Sequence, residues 1–88
     1  MNDTLTTQED QTLRQILKEQ LDVTDDQITP TAHIEHDLGA DSLDKVEIAM
    51  QIEERLDLTI PDENWDGVET VADLQEAVGQ LLEKGRSR

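Results

Sequence analysis

The 88 residues contain no cysteine, no phenylalanine and no tyrosine, and Trp65 is the only aromatic side chain. Without thiols, disulfide staples, thiolate metal centres and cysteine nucleophiles are all excluded, and nothing in the chain calls for an oxidising compartment. Basic charge is scarce as well: 7 Lys and Arg against 22 Asp and Glu leave a formal net charge of −15. So acidic a chain repels nucleic-acid phosphates and anionic membrane surfaces, whose recognition requires a basic face. Basic proteins are the partners its field attracts. No apolar run approaches the ~20 residues that cross a bilayer, and Met1 to Glu9 has neither the basic nor the apolar region of a signal peptide. The expectation is a cytoplasmic protein with no membrane insertion.

Only 34% of the residues are hydrophobic, and high charge with few aromatics is also a signature of disorder. The spacing of the aliphatic residues argues for a fold instead. Leu13, Ile16, Leu17 and Leu21 form one helical stripe, and Thr6 with Glu9 reads as a capping box, predicting a helix from about Thr7 to Leu21. A loop of about twenty residues follows, rich in Thr, Asp, Pro and Gly, with Ile28, Ile34 and Leu38 as pegs. Helical periodicity returns from Ser42 to Leu56 and is broken before Pro61. Asp62 to Asp66 has room for one short turn, and a Thr70/Asp73 capping box opens a last helix with Val71, Leu74, Val78, Leu81 and Leu82 on its stripe, ending near Gly85. No run alternates as a strand requires. The chain therefore reads as one all-α domain over residues 1–88, a small bundle of three main helices and a short one. Its core spans about 7–82, with a short N-terminal lead and a basic tail, Lys84 to Arg88, expected to fray.

The second helix has more apolar positions than one buried face needs. Ile48, Ile52 and Leu56, with Ala49, suit a core. Leu43, Val46 and Met50 form a second stripe, flanked by Asp44, Glu47, Glu53 and Glu54. Such a stripe rimmed by one sign of charge reads as a docking surface for a basic partner; burial of the helix on two sides is the plainer alternative. At its head stands Gly39-Ala40-Asp41-Ser42-Leu43. On spacing alone Ser42 is an N-cap. A catalytic serine fits poorly, because the Gly-x-Ser-x-Gly elbow is missing and Asp41 and Asp44 oppose a developing oxyanion. A helix N-terminus does favour a phosphate group, and Ser42 is placed to bear a phosphoester.

Asp37-Leu38-Gly39-Ala40-Asp41-Ser42-Leu43-Asp44, then Val46-Glu47 and Met50, then Ile60-Pro61-Asp62-Glu63 and Thr70-Val71, resembles the acyl carrier proteins over roughly residues 7 to 82. The resemblance implies the small four-helix bundle of acyl-carrier type and a carrier, not an enzyme. It implies 4′-phosphopantetheine on Ser42, transferred from coenzyme A by a phosphopantetheinyl transferase. Acyl groups would ride on that arm as thioesters in fatty acid, polyketide or specialised lipid biosynthesis. By the same resemblance Asp41, Leu43, Asp44, Val46, Glu47, Met50 and Glu54 form the surface that meets basic patches on the transferase and on acyl-loading, condensing and acyl-transfer enzymes. Ile48, Ile52, Ile60, Val68 and Val78 are candidates for the lining of an acyl cavity, and the carrier acts as a monomer. Two departures from the family pattern bear on partner choice: Lys45 puts a positive charge on the recognition helix, and Trp65-Asp66-Gly67 occupies the short helix, where Gly67 should loosen the backbone.

Two rival readings come from other classes. Asp62, Asn64, Asp66 and Gly67, with Asp73 beyond, match the opening of an EF-hand calcium loop, although Pro61 spoils the entering helix and the twelfth position is Asp instead of a bidentate Glu. An acidic adaptor would use the same docking face without a prosthetic group. His33-x-x-His36, beside Glu35 and Asp37, has weak zinc-ligand spacing and reads as a solvated loop pair, so no metal is assigned. Crowded carboxylates also predict a fold that firms as cations screen it.

Overall fold

The computed structural model describes residues 7–86, folded as α1 (Thr7–Leu21), α2 (Ser42–Leu56), the short α3 (Asp62–Asp66) and α4 (Val71–Arg86). This is the all-α arrangement of three main helices and a short one. Among the described residues the only strand-like pairing is an isolated bridge between His33 and Thr70. Leu13, Ile16 and Leu17 of α1, Ile48 and Ile52 of α2, and Val71, Leu74 and Val78 of α4 are buried together, with Leu21, Leu56, Leu81 and Leu82 packed around them. Each fully buried Leu or Ile contributes about 1.5–3 kcal/mol, so these stripes supply the main driving force.

Helix ends follow local chemistry. The Thr70 hydroxyl accepts from the Asp73 amide at 3.2 Å, and Asp73 Oδ2 accepts from the Glu69 and Thr70 amides at 3.1 Å each. Thr6, the expected partner of Glu9, lies outside the described residues, as does the rest of the N-terminal lead. At their C-terminal ends α1 and α2 stop on aspartates in the left-handed region, Asp22 and Asp57, both with φ of 56°. The last helix runs to Arg86, within one residue of the expected end near Gly85. Ser87 and Arg88 lie outside the described residues.

The long loop between α1 and α2 is tied down along its length. A 3-10 turn, Asp25–Gln27, leads to Ile28, whose carbonyl accepts from Arg14 Nη1 at 2.9 Å. Ile28, Ile34 and Leu38 are buried as pegs, joined by Ala32 and Ala40. The carbonyls of Pro30 and Ala32 accept from the Ala72 and Val71 amides at 3.0 Å, and the Ile34 amide donates to Glu69 O at 2.8 Å. The next turn closes when the Gly39 amide reaches Glu35 O and the Ala40 amide reaches Ile34 O. Gly39 has φ +79° there, a conformation that glycine adopts without strain. His33 is not the solvated residue expected. It is half-buried, its Nδ1 accepts from the His36 amide at 3.2 Å, its own amide donates to Asp37 Oδ2 at 2.7 Å, and its ring lies 4.2 Å from that of His36.

Two measurements check this account. A Cβ on Gly39 meets no atom within 4 Å, so Gly39→Ala should lose only backbone energy, about 1–2 kcal/mol in a denaturant melt. The amides of Thr70 and Glu69 hold the Asp73 carboxyl below its ordinary value. The folded state thus binds this proton less readily than the unfolded chain, and the stability it confers is complete above the ordinary carboxylate range and lost as pH falls through the lowered value. Asp73→Asn keeps an acceptor but does not titrate, so its Tm should fall less steeply than that of the parent protein across that acid window.

Candidate functional site

Ser42 is the first residue of α2 and is exposed. The cap before it is Asp41, which corrects the reading of Ser42 as the N-cap. Asp41 has extended backbone, its Oδ1 accepts from the Asp44 amide at 2.8 Å, and Asp44 Oδ2 accepts from the Asp41 amide at 3.2 Å. A carboxylate one residue earlier fills the capping role as well as a hydroxyl does, and it releases the hydroxyl. Among the described residues, neither the Ser42 hydroxyl nor the amides of Ser42 and Leu43 have a hydrogen-bond partner. Two open N–H groups and the positive end of the helix dipole thus surround an accessible oxygen. That set fits a phosphoester carried on Ser42. It does not fit a nucleophile, since neither Asp41 nor Asp44 contacts the hydroxyl as a base.

The outer stripe of α2 is open, which removes the alternative of a helix buried on two sides: Leu43, Val46 and Met50 are 67%, 54% and 55% exposed, while Ile48 and Ile52 are fully buried. Asp41, Glu47 and Glu54 are exposed along it and Asp44 is half-exposed. Gln20 of α1 was not singled out from the sequence, yet its Nε2 donates to Asp44 Oδ1 at 3.1 Å and to Glu47 Oε1 at 2.7 Å, and its Oε1 accepts from Gln51. One amide thereby fixes two carboxylates of like charge. The Gln20 bond and then the Asp41 amide hold the Asp44 carboxyl below its ordinary value.

Lys45 does not present the free positive charge expected of it. Its ammonium is paired with Glu35 of the loop, which lowers the Glu35 carboxyl and neutralises the cation beside the acidic stripe of α2. All five candidates for an acyl lining belong to the core or pack against it, and they occupy different places in it. Ile48, Ile52 and Val78 are packed in the core, Val68 lines a polar surface hollow beside Asp73, and Ile60 lines a groove of about 200 Å³ between α2 and α3. Trp65 forms the opposing wall of that groove. Gly67 ends α3 with φ −90° and so uses none of glycine's special freedom.

The calcium loop is overturned by the backbone: Asp62, Asn64 and Asp66 coil into α3, and the Asp73 carboxylate is taken up in capping α4. Among the described residues no three His, Cys, Asp or Glu side chains are placed to hold a metal ion. His33 Nδ1 is likewise occupied by the His36 amide.

Comparison with known proteins agrees with this geometry. Residues 11–78 match the family model described as a phosphopantetheine attachment site. The chain is 44% identical over 72 residues to an acyl carrier protein of Clostridium perfringens, covering 82% of this chain and 95% of the relative. It is 45% identical over 75 residues to an acyl carrier protein of Cyanidioschyzon merolae, covering 85% of this chain and 79% of the relative. The chain belongs to the acyl carrier family. It is a carrier and not a catalyst, its prosthetic group is 4′-phosphopantetheine, and its role lies in biosynthesis of the fatty acid type. Carriers of this family are served by a phosphopantetheinyl transferase and work with the enzymes of fatty acid synthesis. No helix among the described residues is long and apolar enough to cross a membrane.

The division of labour between Asp41 and Ser42 is testable. Ser42→Ala should change stability by no more than about 0.5 kcal/mol, whereas Asp41→Ala should cost about 1 kcal/mol through loss of the cap. Urea melts of the two variants would separate them.

Proposed function

We propose that Ser42 is the attachment point of the phosphopantetheine arm. The observation that carries this reading is an exposed hydroxyl beside two unpartnered amides on a helix that is already capped by Asp41. When bound, the group supplies a thiol that holds acyl groups as thioesters. The chain's own part is to present the attachment oxygen to the transferase, to offer the Ser42 and Leu43 amides to the phosphate, and to keep the arm at the edge of the docking face. Asp41, Leu43, Asp44, Val46, Glu47, Met50 and Glu54 form that face. Its carboxylates steer enzymes with basic patches, and its aliphatic centre contributes once desolvated. Exposed charges of this kind act over about one Debye length, ~8 Å at physiological salt, so docking weakens as salt rises. That suits a shuttle that must leave each partner quickly. The carrier works as a monomer in the cytoplasm, and an acyl chain entering the interior has to part Ile48, Ile52 and Val78.

Intact mass before and after incubation with coenzyme A and a broad-specificity phosphopantetheinyl transferase tests the assignment. Gain of one phosphopantetheinyl group, lost in a folded Ser42→Ala variant, is the expected result. A folded, unmodified sample that gains nothing would sink it and leave an adaptor that docks through α2 without cargo.

A further inference from the structure

The two cations of α2 are Lys45 and Arg55, and only Lys45 is near Ser42, three residues further along the helix. Residues at i and i+3 are neighbours on a helix surface, with about 5–6 Å between their Cβ atoms. Helical side chains also lean toward the N-terminus and cover the turn before their own Cα. The Lys45 stem therefore runs back toward the turn that Ser42 begins. Its partner agrees with that direction: the ammonium is paired with Glu35, which lies in the turn just before α2, closed by the Gly39 amide on the Glu35 carbonyl. The Lys45 side chain is 25% exposed and that of Glu35 44%. A pair so open to solvent adds little stability, so the ammonium can change partners at small cost.

We infer that Lys45 is a binding residue for the phosphodiester of the arm: once the arm is attached, its ammonium leaves Glu35 for the phosphate and joins the Ser42 and Leu43 amides there. The inference rests on the reading of Ser42 as the attachment point. Attachment puts a permanent negative charge one helical turn from the ammonium, and charge-assisted bonds to phosphate oxygens are among the stronger ones a lysine makes. The phosphate has the advantage over Glu35 because it stands on the same helix as Lys45 and at the positive end of that helix's dipole. The pair with Glu35 instead orders a second long side chain, which costs rotamer freedom. Glu35 is then released as a free carboxylate beside Asp41 and Asp44. The loaded carrier thus shows basic partners one more exposed acid than the unloaded carrier shows the transferase.

The test uses the full chain before and after loading from coenzyme A by a broad-specificity phosphopantetheinyl transferase, with the mass of every sample verified. A parent protein that takes no arm overturns the reading of Ser42 and this inference with it; loaded protein that departs from the following results overturns the inference alone. In the unloaded chain Lys45 holds the Glu35 carboxyl below its ordinary value, with a smaller pull from His33 and His36. Carboxyl-carbon NMR should show that value rising on loading, and rising further than in Lys45→Met, which lacks the ammonium in both forms. The phosphorus resonance of loaded Lys45→Met should be displaced from that of the parent, and Lys45→Arg should bring it back toward the parent position. The change in Tm on loading should be most favourable in Glu35→Gln, where no carboxylate competes for the ammonium, less so in the parent, and least in Lys45→Met. A Glu35 carboxyl whose titration loading leaves unmoved, or a phosphorus resonance and Tm change that are the same in Lys45→Met as in the parent, would overturn the inference.

Discussion

The first amides of a helix have no carbonyl one turn behind them, and in a folded chain each needs another partner or an exposed position. Along this chain the demand is met in two opposite ways. At the start of α4 every such amide is taken: Thr70 by the Asp73 carboxylate, Val71 by the Ala32 carbonyl, Ala72 by that of Pro30, and Asp73 by the Thr70 hydroxyl. Two of those bonds, at Val71 and Ala72, come from the long loop, so capping α4 also helps to hold the loop in place. At the start of α2 the Asp41–Asp44 box takes two amides, those of Asp41 and Asp44, and leaves those of Ser42 and Leu43 open. The loop that closes one helix thereby delivers the other helix with its N-terminus free, and Ser42, the proposed attachment point, stands there.

Charge follows a similar division. Every Lys and Arg whose side chain is described is spent internally: Arg14 on Asp10 and the Ile28 carbonyl, Lys18 on Asp25, Lys45 on Glu35, and Arg55 on Glu19. Pairs as exposed as these add little stability. Their larger effect is on the field, because no described cation interrupts the acidic face of α2. Lys45 illustrates the point. In sequence it sits in the middle of that face, and only the turn through Gly39 brings Glu35 close enough to withdraw it.

The helices were legible because apolar periodicity and capping chemistry are local properties. Residues of α1, α2, α3 and α4 fall where their spacing puts them, and the pegs Ile28, Ile34 and Leu38 are buried as single apolar residues in a polar loop must be. What stayed hidden depends on contacts distant in sequence. Nothing near Gln20 signals that it will bridge Asp44 and Glu47, and nothing near Glu35 signals Lys45. The cap on α2 was misassigned for another reason: Asp41 and Ser42 are adjacent and chemically equivalent as caps, and only the backbone angles distinguish N-cap from first helical residue. Asp22 and Asp57 end their helices without the glycine that would have marked the positions.

Val46 and Met50 belong to two surfaces at once. They lie on the exposed stripe of α2, and they form one wall of the groove beside Trp65. A helix in which the i, i+3, i+4 and i+7 positions were cleanly divided between core and solvent could not have this property; it requires residues at the boundary, half turned toward α3. Any group seated in the groove must cover part of the stripe, because the same side-chain atoms cannot be both desolvated by cargo and available to a partner. Burial of Val46 and Met50 from either side thus draws on one and the same apolar area under the acidic rim of α2.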